Sequence, residues 1–313
     1  MRRLAFIVLL LGFGCAATSL ALKALWPGPR ADVSLSAGDV VELDDDGTEL
    51  VLESFRVPKY PSGKPRQFES EVRLVGKAVG DPVRATIRVN HPLRWNGFWI
   101  YQMSYDAATE QTTVLTLVRD PWLGLAAFGG ALMLLGALLG CTGGRTEDGG
   151  ASVPREGESP RWRRGLSAVA ALAVFAVPLF IVLRAVLRPE PVPALQSGLM
   201  APHVAAYAAS YLIMIFAAFG IGRRALPVGF FLMTVGLVLG AVWGKICWGD
   251  FWQYDPKEMW SLATWGVYVA FFACRRNRRT ERLLRIAGAV MVVLTATWVN
   301  FSRFFTGLHN YAS

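Results

Sequence analysis

Apolar residues are gathered into seven long blocks along the chain, and polar residues fill the segments between them. Each block comes close to the roughly 20 residues that a helix needs to cross a bilayer. The pattern therefore predicts a polytopic α-helical membrane protein with about seven transmembrane helices. The blocks span residues 4–26, 122–141, 166–187, 204–222, 228–246, 259–274 and 284–301, and the sixth is the shortest.

A different pattern fills the segment between the first two blocks. Apolar and polar residues alternate within 31–121, most clearly at 83–89, as they do in a half-buried β-strand. Asn96-Gly97 stands between two strand-like runs and predicts a hairpin turn. We therefore expect an extracytoplasmic all-β domain between transmembrane helices 1 and 2.

The segment 142–164 is rich in Gly, Pro, Glu and Arg and nearly lacks large aliphatic residues, so it cannot bury enough surface to fold alone. The predicted organisation is an N-terminal transmembrane helix at 1–30, the β domain at 31–121, a second transmembrane helix at 122–141, a cytoplasmic linker at 142–164 and a helical membrane domain at 165–313. The first block also begins like a cleaved signal peptide, and cleavage would leave every later segment in place.

Composition and charge support a membrane protein and exclude one other class. The chain is 53% hydrophobic with a mean hydropathy of +0.37, which is high for a soluble domain. Its net charge of +9 comes from basic residues at the ends of apolar blocks, without the basic, aromatic-interleaved patch of a nucleic-acid-binding protein. With the N-terminus inside, the inner segments carry roughly three times the basic residues of the short outer ones, which places the β domain and the C-terminus outside.

An aromatic loop, residues 248–265, runs from the outer end of the fifth block into the sixth. Tryptophan and tyrosine also settle at lipid headgroups as an aromatic belt, which is the alternative interpretation. A belt does not account for Asp255, Lys257 and Glu258 lying among the rings.

Haem would use each of these residue types. Its flat face stacks on aromatic rings, and its propionates pair with a cation such as Lys257. Carboxylates repel propionates, so we expect Asp255 and Glu258 to pair with Lys257 or to orient neighbouring groups. The stacking rings would be those of Trp248, Trp252, Tyr254 and Trp260.

Iron needs axial ligands, and the chain contains three histidines, all of which fall on the outside. His203 begins the fourth block and His309 follows the seventh, so both can approach the aromatic loop. We expect these two to ligate haem iron; a solvated or capping histidine is the alternative. His91 lies in a turn-like Asn90-His91-Pro92 segment, for which we expect a structural role.

The aromatic loop resembles a known motif. Trp248-Gly-x-x-Trp252-x-Tyr254-Asp255-Pro-Lys257-Glu258-x-Trp260-Ser-Leu-x-Thr-Trp265 is similar to the WWD motif of the CcsA/ResC and CcmC haem-handling families, although Tyr254 stands where those families usually have Trp. This resemblance adds Trp265 to the expected cofactor-binding residues. Residues 193–204 and 307–311 resemble the CcsA segments that carry two external haem-ligating histidines. In the first half, 89–93, 97–105 and 119–121 resemble ResB.

The resemblance implies a fusion of a ResB-like domain with a CcsA-like domain, acting in system II cytochrome c maturation at the bacterial inner (cytoplasmic) membrane. It implies haem b as bound ligand or substrate, apocytochrome c as partner, and possible further membrane subunits and a thiol reductant. The implied activity is that of a holocytochrome c synthase component. The alternatives are a haem carrier that needs a partner to complete ligation, and a chaperone that docks apocytochrome. Larger fused members have intramembrane histidines, whereas no histidine lies in the middle of an apolar block here.

Overall fold

The computed structural model describes residues 3–43, 47–76, 79–142, 161–187, 189–274 and 278–297. Within these residues, an N-terminal helix is followed by eight strands and then by six helices. The strands are β1 Arg30–Ser36, β2 Val40–Glu42, β3 Glu49–Arg56, β4 Glu69–Val75, β5 Val83–Arg88, β6 Leu93–Trp95, β7 Phe98–Tyr105 and β8 Thr112–Val118. The helices are α1 Arg3–Leu25, α2 Leu123–Thr142, α3 Arg161–Val186, α4 Met200–Ala218, α5 Leu226–Trp248, α6 Pro256–Ala273 and α7 Arg278–Ala296. Short 3₁₀ turns lie at Pro193–Gln196 and Arg223–Ala225.

The strands form two antiparallel sheets of four strands each. Their orders are β1-β8-β7-β6 and β2-β3-β4-β5. One apolar core contains side chains from both sheets, including the fully buried Leu50, Leu74, Ile87, Ile100 and Leu115. The alternation that predicts strands therefore arises because every second side chain faces this shared core.

The Asn96-Gly97 hairpin is confirmed. Trp95 pairs with Phe98 across the turn, so β6 and β7 are joined by two residues. Asn96 has φ +42° and Gly97 has φ +80°. Positive φ at both central positions gives the turn the twist of the flanking strands, and Asn and Gly reach that region most readily.

All seven apolar blocks contain a helix in the part of the chain that the structure describes. Four of these helices are long and apolar enough to cross a membrane: Arg3–Leu25, Leu123–Thr142, Met200–Ala218 and Arg223–Trp248. The chain is thus a multi-pass membrane protein, and four spans meet the length and hydropathy criteria where the sequence predicts about seven. Helix α6 opens with Lys257 and Glu258, and α7 carries charged residues in its first two turns, which lowers their mean hydropathy.

Helices α1 and α2 pack backbone to backbone. A Cβ atom at Gly12 would lie 2.5 Å from the backbone nitrogen of Met133, and one at Gly136 would lie 2.4 Å from that of Leu9. Glycine is therefore required at these crossings, as is common where membrane helices approach closely. The two helices that flank the β domain in the sequence form one hairpin beneath it.

Each of the seven helices in the described residues contributes to a second apolar core, which includes Met214, Phe230, Tyr268, Phe271 and Val292. Residues 143–160 of the predicted linker lie outside the described residues. Helix α3 starts at Arg161, four residues before the predicted start of the helical domain at 165.

A seam of polar contacts joins the β domain to the segment before α4. The side-chain amide of Asn90 donates to the carbonyl oxygens of Pro193 and Ala194, both at 3.0 Å. The amide of Gln196 donates to the carbonyl oxygen of Arg66 at 2.7 Å. An apolar cluster continues this seam toward the end of α5, and it contains Val89, Leu195, Met200, Trp243 and Cys247.

Candidate functional site: the aromatic loop at the junction of the two halves

The aromatic loop begins where α5 ends. Gly249 adopts φ +87°, and its N–H donates to the carbonyl oxygen of Lys245 at 3.1 Å, which closes the helix with a left-handed residue. A Cβ atom at Gly249 would lie 3.2 Å from the ring of Tyr101 on β7. The chain therefore leaves the helix directly against the β domain.

The loop ends in a capping box that starts α6. Asp255 accepts a hydrogen bond from the N–H of Lys257 at 2.8 Å, and Pro256 occupies the first helical turn. In return the Glu258 carboxylate accepts from the N–H groups of Gln253, at 2.8 Å, and Asp255, at 3.3 Å. The two carboxylates that the sequence places among the rings thus accept hydrogen bonds from the backbone of the loop and of the first turn of α6.

The rings of the loop differ in how far they are buried. Trp248 and Trp252 are half-buried, whereas Tyr254 is 64% exposed and has φ +56°. A positive φ is uncommon for an aromatic residue. Trp260 is half-buried in the second turn of α6, and its carbonyl oxygen accepts from Thr264 at 2.8 Å.

Trp265 lies inside the helical bundle. It is 3% exposed, its ring stacks with Phe13 at 5.3 Å and with Phe230 at 5.7 Å, and its indole N–H donates to the hydroxyl of Thr234 at 3.1 Å. These contacts tie α6 to α1 and α5 and give Trp265 a structural task within the motif.

His203 lies in the first turns of α4 and packs on α5. Its Nδ1 atom lies 2.8 Å from the carbonyl oxygen of Gly236. Its ring contacts Tyr207 edge-on at 5.2 Å and Trp243 at 5.9 Å. A carbonyl oxygen can only accept, so Nδ1 carries the proton, and a neutral imidazole then has its lone pair on Nε2. His309 lies outside the described residues.

Two adjoining pockets flank Trp248. The first, which we call the Phe68 pocket, has a volume of about 410 Å³, is mostly apolar and is lined along the seam by residues that include Phe68, Val89 and Pro193. The second, which we call the Trp252 pocket, has a volume of about 400 Å³ and is lined by residues of the loop, including Trp252. Trp248 and Met103 line both of them. The Trp252 pocket is also lined by Leu20, Lys23, Ala24, Arg30, Asp250, Trp252, Gln253 and Tyr254.

Met103 reaches the pockets because β7 bulges at that residue. The pairing of β7 with β8 shifts between Gln102 and Ser104. The amide of Gln102 fixes the bulge by donating to the hydroxyl of Thr113 at 2.7 Å and to the carbonyl oxygen of Ser104 at 3.0 Å. A bulge re-aims the side chain that it carries. Alternation alone does not reveal it, so the sequence does not predict Met103 as a site residue.

Five charged groups form a cluster, and three of them, Lys23, Arg30 and Asp250, line the Trp252 pocket. Lys245 contacts Asp120 at 3.1 Å, and both side chains are nearly buried, at 5% and 3% exposed. Lys23 contacts both Asp120 and Asp250, and Arg30 contacts Asp250 at 2.6 Å. Burial would raise the pKa of Asp120, but the ammonium groups of Lys245 and Lys23 outweigh it and hold that pKa below its usual 3.8.

Lys257 occupies the first turn of α6, behind the loop. Burial lowers its pKa to about 8, and the nearby Asp255 carboxylate opposes this shift. It is not among the residues that line the Trp252 pocket. Its ammonium therefore lies apart from Lys23 and Arg30, the two cations that line that pocket.

His91 lies in the turn between β5 and β6. Its N–H donates to the carbonyl oxygen of Arg88 at 2.9 Å, across a turn in which Asn90 has φ +66°. The side chain of His91 is exposed, while that of Asn90 reaches the seam.

Comparison with protein families assigns the two halves separately. The family model described as cytochrome C assembly protein matches residues 220–306, and the ResB-like family model matches residues 4–118. The first match contains the whole aromatic loop, and the second covers α1 and all eight strands.

Curated relatives each match just under three tenths of the chain. A cytochrome c biogenesis protein CcsA from Synechococcus sp. (strain CC9311) is 40% identical over 90 residues, 28% of this chain and 30% of that protein. The CcsA of Prochlorococcus marinus (strain MIT 9303) is 42% identical over 92 residues, 28% of each protein, and that of Glycine max is 32% identical over 94 residues, 29% of each. The chain spans about three tenths of the length of these relatives. It therefore carries a ResB-like segment and a cytochrome c assembly segment in one polypeptide, which is the fusion that the sequence predicts.

Proposed function

We propose that this protein acts in cytochrome c biogenesis by binding haem at the external membrane face and presenting it for covalent attachment to apocytochrome c. The observation that carries the proposal is the aromatic path from His203 to the loop. The His203 ring lies 5.9 Å from Trp243, which lies 5.4 Å from Trp248. His203 is thus linked through Trp243 to Trp248, and Trp248 lines both pockets.

The aromatic rings and the histidine of this site are residue types that bind haem. The rings of Trp248, Trp252 and Tyr254 line one pocket and give it stacking faces. The Gly236 carbonyl sets the tautomer of His203, which is the support that iron-ligating histidines usually have. We propose His203 and His309 as the axial ligands, with Trp260 and Lys257 as further cofactor-binding residues on α6 and Trp265 acting through the packing of that helix.

The contribution of the chain is to hold and orient. Haem supplies two vinyl groups, which form thioether bonds with the two thiols of the apocytochrome. The capping box of Asp255 and Glu258 fixes the loop that carries the stacking rings, and the seam fixes the β domain above it. A haem held in a fixed orientation would present its vinyl groups to the incoming thiols, so that the reaction occurs within one complex instead of by chance encounter in solution.

A carrier role is the second candidate, and the histidine count favours it. Of the three histidines, His203 lies at the start of α4 and His91 in the β domain, and His309 follows the last apolar block. None of these positions supplies a ligand in the middle of an apolar block. Haem would then reach the site through a partner subunit or by another route, and a partner would complete the ligation.

Absorption spectroscopy tests the site. The full chain is purified in detergent, and the spectrum of co-purified haem is compared with those of His203→Ala, His309→Ala and His91→Ala. We expect the first two to lose or shift the six-coordinate spectrum, with His91→Ala as the matched control. Unchanged spectra in His203→Ala and His309→Ala would refute the axial assignment.

Co-expression separates synthase from carrier. An apocytochrome c is produced with this chain in a host that lacks its own maturation system, and covalent haem is detected on a denaturing gel. Covalent haem with this chain alone supports a synthase. Covalent haem only when a second membrane subunit is present supports a carrier.

A further inference from the structure

The Trp252 pocket is built by both halves of the chain. Trp248, Trp252 and Tyr254 come from the helical half, whereas Lys23 and Arg30 come from the end of α1 and the start of β1. The pocket therefore combines aromatic rings and cations that lie more than 200 residues apart in the sequence. Neither half supplies this combination alone among the residues that line the pocket.

Rings and cations in one pocket suit a flat apolar ligand that carries carboxylates. We propose that Lys23 and Arg30 bind the carboxylate groups of the haem held by the aromatic loop. This inference rests on the proposed function, and it moves the anion-binding task from Lys257 to the ResB-like half. Guanidinium matches a carboxylate with two parallel N–H donors, and ammonium adds a point charge.

The Asp250 carboxylate supports this assignment. It contacts Lys23 and also Arg30, at 2.6 Å, so the two cations are already arranged around one carboxylate group. Their side chains remain 29% and 40% exposed, which leaves them accessible to a ligand. Lys23, Arg30 and Lys245 face two carboxylates, Asp120 and Asp250, so the cluster holds one more cation than anion.

The competing explanation is that these ion pairs have a purely structural role. Lys23, Arg30 and Asp250 could simply fasten the loop to the β domain. The two explanations predict different signs for Asp250. If the ion pairs are only structural, removing any one partner weakens the attachment of the loop. If Lys23 and Arg30 bind carboxylates of a ligand, removing either cation lowers the affinity for that ligand, and removing the competing Asp250 charge raises it.

The experiment measures equilibrium binding of hemin and of hemin dimethyl ester to the full chain in detergent, by quenching of tryptophan fluorescence. The ester keeps the ring and the iron but has no carboxylates. We expect wild type to bind hemin at least tenfold more tightly than the ester. Lys23→Gln and Arg30→Gln should each weaken hemin binding about tenfold, the loss of one charge-assisted hydrogen bond, and leave ester binding unchanged.

Asp250→Asn should bind hemin more tightly than wild type. Arg56→Gln is the control, because Arg56 pairs with Glu69 and Glu71 on β4, away from the pocket, and we expect it to bind as wild type does. Equal or weaker hemin binding by Asp250→Asn, or unchanged binding by the cation variants, would overturn the inference.

The ester comparison needs no substitution, so it remains decisive if a variant fails to fold. Equal affinities of wild type for hemin and its ester overturn the inference alone and leave the proposed function standing. Absence of hemin binding to wild type overturns the proposed function, and this inference falls with it.

Discussion

The Nδ1 atom of His203 on α4 lies 2.8 Å from the carbonyl oxygen of Gly236 on α5. This contact is possible because glycines on α5 let the two helices approach closely. A Cβ atom at Gly240, one turn further along α5, would lie 2.7 Å from Cε1 of His203. The position of the imidazole is therefore set by the absence of a methyl group on the neighbouring helix.

Gly240→Ala should displace His203 without removing it. The added methyl group has to push the ring aside, at a cost of about 1–3 kcal/mol for overpacking. We expect a shifted haem spectrum and weaker hemin binding. The matched control is Gly266→Ala on α6, where no atom lies within 4 Å of the added carbon. That variant should be neutral or more stable by about 0.5–1 kcal/mol, and identical spectra for the two variants would contradict the proposed position of His203.

Asp120→Asn should destabilise the junction of the two halves. It leaves the nearly buried Lys245 ammonium without one of its charge partners, and removing one member of a buried pair costs about 3–5 kcal/mol. Thermal unfolding of the purified chain would show this as a lowered Tm. Asp39→Asn, at an exposed carboxylate in a turn, is the control and should change Tm little.

The pH dependence of stability follows from the same carboxylate. The folded pKa of Asp120 lies below 3.8, so its stabilising contribution is fully present above pH 3.8 and is lost as the pH falls through the folded value. We expect Tm to fall below about pH 4, and to fall less in Asp120→Asn because the titrating group is gone. An equal acid loss in both proteins would show that other carboxylates cause it.

Glu258→Ala should disturb the loop more than Glu258→Gln. The carboxylate accepts from the N–H groups of Gln253 and Asp255, and glutamine keeps an acceptor oxygen at the same place. Loss of a helix cap costs about 0.5–2 kcal/mol. Hemin affinity and Tm should decrease in the order wild type, Glu258→Gln, Glu258→Ala. Equal effects of the two substitutions would mean that the charge matters and the capping bonds do not.

Gly249→Ala should separate the loop from the β domain. The residue has φ +87°, where an L side chain costs roughly 1–2 kcal/mol, and its new methyl group would meet the ring of Tyr101. We expect a lower Tm together with weaker hemin binding. Gly14→Ala is the comparison, since an added carbon there meets no atom within 4 Å and the backbone is helical.

Local patterns predicted the parts of the fold that depend on local sequence. Each of three local patterns reflects backbone geometry within a few neighbouring residues: the strand alternation, the Asn96-Gly97 turn and the apolar blocks. The structure has a strand, a hairpin turn or a helix at the corresponding positions. The capping box of Asp255 and Glu258 spans only four residues, so it too is a local feature, although the sequence alone also allows these carboxylates to pair with Lys257.

Contacts between distant segments could not be predicted in this way. Lys23 and Arg30 are distant from the aromatic loop in the sequence, and the residues next to them in the chain do not indicate that they contact Asp250. The bulge at Met103 depends on the register of β7 against β8, which alternation does not fix. Trp265 fits the motif by spacing, and its packing against Phe13 appears only once α1 and α6 are placed together.

The seam at Asn90 carries a consequence for assembly. Hydrogen bonds from Asn90 and Gln196 to backbone carbonyls, with a small apolar cluster beside them, would make a weak complex between two separate proteins. Within one polypeptide the partners meet at an effective concentration that can reach the millimolar range. The seam adds to the Lys245–Asp120 ion pair and the Phe13–Trp265 stack, which also join the two halves. Cutting the chain between α2 and α3 should make docking of the halves depend on their concentration.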